Sequence, residues 1–376
     1  MTGAASGRSL PSLGRAVLVA VVCITLATVP GGHAFGAPSA SIASTTITGA
    51  LQPDQVVAAD NRLWLVEGDG EGPGGTCQIA RVNPISLSSV SYGLPACGFN
   101  ATSGDGAVFL ETYTSDQADG TYQIHVERFD TRTHSAVVFA TASAALCLCS
   151  EIAHTQLAFE DGWLWFYGTP VTGAPQEVLQ LSPENGAVVR AFTNVPAIGG
   201  TEPVIAGAGP YVWLAGGAGT AVSFLRIDVS TGATHRFTLF KSDASMYSVL
   251  AEPDRVFFLY LAWKGPAGSP GPTDNYIGRM TIDATVVGRS PNEQFGGQLV
   301  SVGHDLLSPG PGERCASGVR VWRVDPSTLR STPIARVPTV GDPCLASSDS
   351  VAVVGSSLFY LSSTTSESVL ARITPH

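Results

Sequence analysis

The sequence predicts an all-β chain folded as a seven-bladed β-propeller, and three observations carry that expectation. Charged residues are only 13% of the 376, while glycine (42) and proline (25) are plentiful, a composition suited to many short strands joined by tight turns. A chain of this length exceeds one ordinary hydrophobic core, so it divides into domains or grows by repetition. A two-strand phrase then recurs seven times, which favours repetition.

The first strand of the phrase reads RLWLVEG (62–68), AVFLETY (107–113), WLWFYG (163–168), YVWLAGG (211–217), RVFFLYL (255–261), a weak DLLS (305–308) and SLFYLSS (357–363). The second strand reads IARVNP, VERFDTRT, VLQLSPENG, FLRIDVSTG, IGRMTIDAT, VWRVDPSTL and LARITPH, and aligns Arg81, Arg128, Gln180, Arg226, Arg279, Arg323 and Arg372 in one column. The column repeats every roughly 45 to 55 residues, the length of a four-stranded propeller blade rather than a solenoid rung. Each Arg is expected to pair with a carboxylate or carbonyl of its own or the neighbouring blade; a ring of cationic ligand contacts is the alternative. Asn83, Asp130, Ser182, Asp228 and Asp325 follow the column, and such side chains cap their own backbone two residues on, so they form the turns joining third and fourth strands. The tryptophans on repeat strands, Trp64, Trp163, Trp165, Trp213 and Trp322, read as core.

The seventh copy's third strand runs to the last residues of the sequence, so its outer strand must come from elsewhere. SIASTTITGAL (41–51) is β-branched and precedes the first inner strand, QVVAAD. Residues from about Ile42 to Thr48 are therefore expected to pair with the Val369 to Thr374 strand and close the ring, because an open ring would leave an apolar strand edge exposed.

The organisation that follows is a leader over 1–40 and one propeller domain over 41–376. The leader holds Arg8 and Arg15, no Asp or Glu, the apolar run 16–29, and small-x-small sites near Ala34 or Ala40. That is the pattern of a secretory signal peptide, with a segment too short for a comfortable membrane span; an uncleaved N-terminal anchor is the alternative. No later stretch is apolar enough to span a bilayer. Losing the leader moves the net charge from −10 to −12, since it removes two arginines and no carboxylate. An acidic chain lacks the basic face that nucleic acid requires. A secreted, extracellular monomer is expected.

Of the seven cysteines, Cys23 leaves with the leader and six remain. An even count in an exported chain suggests disulfides. The repeat register places Cys77 at the start of the first blade's third strand and Cys97 after its fourth, with Cys315 and Cys344 similarly placed in the sixth. The expected pairs are Cys77 with Cys97 and Cys315 with Cys344. Cys147 and Cys149 lie between blades 2 and 3, where a Cys-x-Cys ring would be strained and redox active, or else a static clip or two free thiols.

These blade phrases, among them AADNRLWLVEG followed by IARVNP and YGLP, and NYIGRMTIDATVVGRS, resemble the seven-bladed propellers of the streptogramin lyase, NHL and YVTN type. The resemblance spans about residues 41 to 376 and describes blades rather than chemistry. Its lyase branch would imply a catalytic His and a divalent cation, and no histidine of this chain falls in that motif.

Function, if localised, belongs on the face holding the variable loops. Asp54, Glu151, Glu202, Asp243, Glu293 and Asp349 stand near the starts of inner strands, with His154 and Lys241 nearby. Carboxylates converging on one mouth must protonate, pair, splay into solvent or hold a hard cation such as Ca²⁺ or Mg²⁺. Trp263, in the fifth blade's long loop, is the tryptophan suited to stacking on a ligand. EGDGEG (67–72) lacks the ligand spacing of an EF-hand. There is no zinc-ligand spacing, nucleophile elbow, P-loop or Rossmann fingerprint. The reading is a non-catalytic binding or scaffold protein with a protein, cell-wall glycan or small-molecule ligand at Glu151, His154, Glu202, Asp243 and Trp263. The alternative is a metal-assisted lyase or hydrolase, its cation on Glu151, Glu202 and Asp243 and His154 as general acid or base.

Overall fold

The computed structural model describes residues 40–47, 51, 53–68, 77–116, 121–145, 156–168, 176–193, 195, 204–218, 221–240, 244–263, 273–292, 297–311, 319–340, 348–364 and 367–376. They form seven four-stranded antiparallel sheets, six of them up-and-down meanders and one that takes its outer strand from the other end of the chain. Their innermost strands are Pro53–Ala59, Gly98–Gly104, Gln156–Glu160, Val204–Ala208, Ala244–Glu252, Val300–Val302 and Ser348–Val354. The architecture is a seven-bladed β-propeller. Among the described residues no helix is long and apolar enough to cross a membrane.

The ring closes as the sequence requires. Blade 7 takes its outer strand from β1 (Ala40–Ile47), which pairs antiparallel with the strand Ser368–Pro375 in the register Ile42 to Ile373 and Thr46 to Val369. Ala40 pairs as well, with Pro375.

Apolar alternation makes each strand two-faced, and in a propeller both faces meet a neighbouring blade. Seven core clusters result, one per junction; Trp64, Trp165 and Trp213 each sit at the heart of one and are fully buried. These three stand opposite Arg81, Gln180 and Arg226 in the strand register, so the arginine column and the aromatic column share one face, turned toward the next blade.

Three arginines of the column prove to be staples between a blade and the next one's turn, while Arg128 pairs with Asp130 of its own blade (3.3 Å). Arg372 donates to the carbonyls of Pro84 (3.0 Å) and Ile85 (3.1 Å) in the blade 1 turn, and Arg279 to Pro326 (2.5 Å) in the blade 6 turn. Arg226 donates to Ile282 in the blade 5 turn (2.5 Å) and lies over the Tyr211 ring at 4.5 Å. Blade 3 has Gln180 in the column; there the guanidinium comes from Arg190, the cross-strand partner of Gln180, which donates to Val229 and Ser230 of the blade 4 turn. Charge-assisted bonds to carbonyls are among the stronger protein hydrogen bonds, and here each one locks two sheets.

The accepting turns are built alike. Asn83, Asp130, Asp228 and Asp325 accept backbone N–H bonds from residues two and three positions on. Those donors hold the carboxyls of Asp130, Asp228 and Asp325 down at about 2; the largest contribution is the Thr133 backbone N–H for Asp130 and the Ser230 and Ser327 hydroxyls for the other two. Each such turn ends on a left-handed residue: Leu87, His134, Gly186, Gly232, Ala284 or Leu329, with φ between 58° and 76°. This residue plugs against the outer strand of the preceding blade. His134 stacks on Tyr92 at 4.1 Å, and a Cβ on Gly186 would fall within the ring of Phe139. Gly232 faces Phe192 and Leu329 faces Gly288, so a large side chain on one partner meets a small one on the other.

Candidate functional site

The strand ends divide the ring into two faces. The hairpins joining first to second strands and third to fourth strands lie on one, the turn face. Innermost strands begin on the other, and second strands end there. A cavity of about 610 Å³ runs along the axis between the innermost strands of blades 1, 2, 3 and 7. Among the described residues its polar lining is Gln55, Asn100, Thr102, Ser103, Gln156, Gln298 and Ser350, with Asp54 as the one carboxylate, and apolar residues such as Val56, Leu157 and Val351 supply the other half of the lining.

Innermost strands are sheet edges, so their channel-side N–H groups lack ladder partners. Hydroxyls supply some of them across blade boundaries. Val56 N donates to Ser350 Oγ (2.9 Å), Phe159 N to Thr102 Oγ1 (3.2 Å) and Leu299 N to Ser248 Oγ (2.9 Å). Ser103 Oγ donates to Ala58 O (2.5 Å) and Gln55 Nε2 to Phe99 O. The serines and threonine are thus committed to holding neighbouring blades, which leaves the amide of Gln156 to meet a ligand.

Asn100 opens the sequon Asn-Ala-Thr, yet it lies in an innermost strand, lines the cavity and donates from Nδ2 to Glu111 Oε2 (3.1 Å). A glycan on that nitrogen would break the bond and fill the channel. Asp54 sits within its strand at the cavity rim rather than before it, its carboxylate against Gly68, where any Cβ would overlap it.

The expected mouth residues fare unevenly. Glu151, His154, Glu202, Asp243, Glu293 and Lys241 lie outside the described residues, as do Cys147, Cys149, Cys315 and Cys344. Trp263 is corrected: it closes the strand Arg255–Trp263, opposite Thr273, rather than lying in the loop, because the aromatic strand of blade 5 runs two residues past the repeat phrase. Asp349 likewise falls inside the strand Ser348–Val354. Among the described residues no group of three His, Cys, Asp or Glu side chains could hold a metal. The Cys77–Cys97 disulfide forms as the register requires, with Cα atoms 5.1 Å apart.

Sequence reasoning missed Glu127. It lies in the third strand of blade 2 (Thr121–Asp130), opposite Leu110, on the face whose neighbours Val108 and Phe129 pack on blade 1. Its side chain is fully buried and neither oxygen has a hydrogen-bond partner among the described residues. Burial raises its carboxyl from 4.5 to about 7, so below that pH it stays neutral. A carboxylate on an inward face of VERFD was the available signal, hidden by the adjoining arginine.

No protein-family model and no curated protein matches the chain. Solved structures do. A chain of a mitotic checkpoint complex aligns over 96% of this chain and 100% of its own, at 10% identity and a TM-score of 0.54. The WD40 domain of Neurospora crassa Pan2 aligns over 86% and 89%, at 9% identity and 0.52. The polysaccharide lyase Uly1 aligns over 93% and 94%, at 11% identity and 0.50. At such identities the likeness concerns the fold alone. The class defined is the seven-bladed β-propeller.

Proposed function

We propose that this chain is a secreted, non-catalytic binding or scaffold protein whose ligand or partner seats at the axial cavity and the loop-bearing face around it. The observation that carries the reading is the contrast between the two faces. The turn face is closed by short turns whose polar groups satisfy one another, while the axial cavity offers amides and few charges. Such a lining suits a neutral, hydroxyl-rich ligand such as a cell-wall glycan fragment, since among the described residues it combines amides and apolar side chains and holds no cluster of cations for phosphate.

The test is thermal unfolding of the protein stripped with EDTA, then offered neutral oligosaccharides of the cell wall and, separately, Ca²⁺, Mg²⁺, Mn²⁺ and Zn²⁺. A ligand that prefers the native state must raise its stability. An oligosaccharide should raise the melting temperature by several degrees, and Gln156→Trp, which fills the cavity, should abolish the rise. A rise with one cation together with turnover of polysaccharide would replace this reading with the lyase or hydrolase. No response to any oligosaccharide would remove the glycan.

A further inference from the structure

The two positions at which the leader could be cut, after Ala34 or after Ala40, are not equivalent in the folded ring. Blade 7 is the one blade whose third and outer strands are not joined by a turn, because its outer strand is β1. In blade 6 the register aligns Val324 with Ser331, and the plug residue Leu329 stands two residues before Ser331. In blade 7 it aligns Ile373 with Ile42, and the residue two before Ile42 is Ala40. The same count gives Leu87, His134, Gly186, Gly232 and Ala284 in blades 1 to 5.

Ala40 therefore occupies the seventh plug position, in an extended conformation paired with Pro375 where the other six are left-handed. It is 9% exposed and belongs to the cluster between blades 6 and 7 with Val302, Leu307, Val321, Ile334 and Ile373. Beside it, Arg323 cannot reach a turn as the other staples do; it donates instead to the carbonyl of His376 (3.1 Å) and to Asp305 (3.1 Å). A cut after Ala40 would take its side chain out of this cluster and its pairing with Pro375 out of the ladder.

We infer that the leader is removed after Ala34, at the small-x-small site Gly32-His33-Ala34, and that the processed chain begins at Phe35 and keeps Ala40 as a structural residue. The inference rests on the export part of the reading above, and the experiment separates the two. The full chain is produced in a secreting host, and the N-terminus of the exported protein is read by intact mass and terminal sequencing. Phe35 as first residue is the expected result. Ser41 as first residue, or Met1 retained on the exported protein, would overturn the inference and leave export standing; absence of the protein from the exported fraction would overturn export. Two variants sharpen it. Ala34→Leu should block processing because the cleavage site requires a small residue there, whereas Ala40→Leu should be processed normally; the reverse pattern would overturn the site. Refolded chains beginning at Phe35 and Ser41 should differ, the shorter melting on the order of 2 °C lower. Equal melting temperatures would remove the structural basis for the inference.

Discussion

The turn face and the axial cavity are made from the same seven strand sets, yet they use polar groups in opposite ways. On the turn face each Asp or Asn caps its own backbone two and three residues on, and the groups that cross to the next blade are the charged guanidiniums of Arg190, Arg226, Arg279 and Arg372. Along the channel, hydroxyls and amides reach across blade boundaries to residues tens or hundreds of positions away, as Ser350 does to Val56. The difference teaches where variation can be tolerated. A propeller needs its turns and junctions to fit, and it needs the channel only to keep the inner edges satisfied.

The largest expected effect tests that fit on the turn face. Gly186→Val combines a β-branched residue in the left-handed region with overlap onto Phe139, and should destabilise by about 3 kcal/mol, read as the denaturant midpoint shift at unchanged m. A loss under 1 kcal/mol would mean that the plugs are loose and the faces less different than described.

Glu127 gives the next effect, and it concerns a junction rather than a face. Its folded carboxyl titrates at about 7 against 4.5 in the unfolded chain. Below about pH 4.5 both states hold the proton. Between 4.5 and 7 the native state binds more protons than the unfolded, so stability falls as pH rises through that window and the loss is constant above it. The loss is on the order of 2 to 3 kcal/mol by pH 8. Glu127→Gln should abolish the slope and be the more stable protein at pH 8 in urea unfolding; a parallel pH profile for both proteins would show that the carboxyl is ionised inside the core.

Smaller effects come from the staples. Arg279→Ala and Arg190→Ala should each cost about 1 to 2 kcal/mol, although the two residues occupy different strands, because each serves a neighbouring turn. Unequal losses in thermal unfolding would break the equivalence drawn between the column and its replacement in blade 3. The smallest change belongs to the cavity: Gln156→Ala should alter stability by less than about 0.5 kcal/mol while weakening the oligosaccharide response. A large loss of stability there would make the cavity a structural element like the turns.

How much of this was legible follows from distance along the chain. The blade count, the closing strand and the Cys77–Cys97 pair could be read because each depends on a local repeat whose period is the blade itself. The role of the arginine column was legible as a class of contact, while the substitution of Arg190 for Gln180 was not, since it depends on which residues face each other across two strands. The channel lining was not legible either. Gln55, Asn100, Gln156 and Ser350 hold the same register place in their blades, eleven residues before their second-strand partners, so the blade period relates them; that this place faces the axis follows only from the closed ring. Polar residues on the innermost strands were the signal available.

By itself, then, the sequence determined the strand period, the number of blades, the turn chemistry and the means of closing the ring, because hydrophobic alternation and Asx turns act over a few residues. Only the tertiary structure decided that Ala40 occupies the seventh plug position, that Asn100 belongs to the channel and that Glu127 is buried without a partner. These depend on which blade lies beside which, and that neighbourhood exists only once the ring has closed.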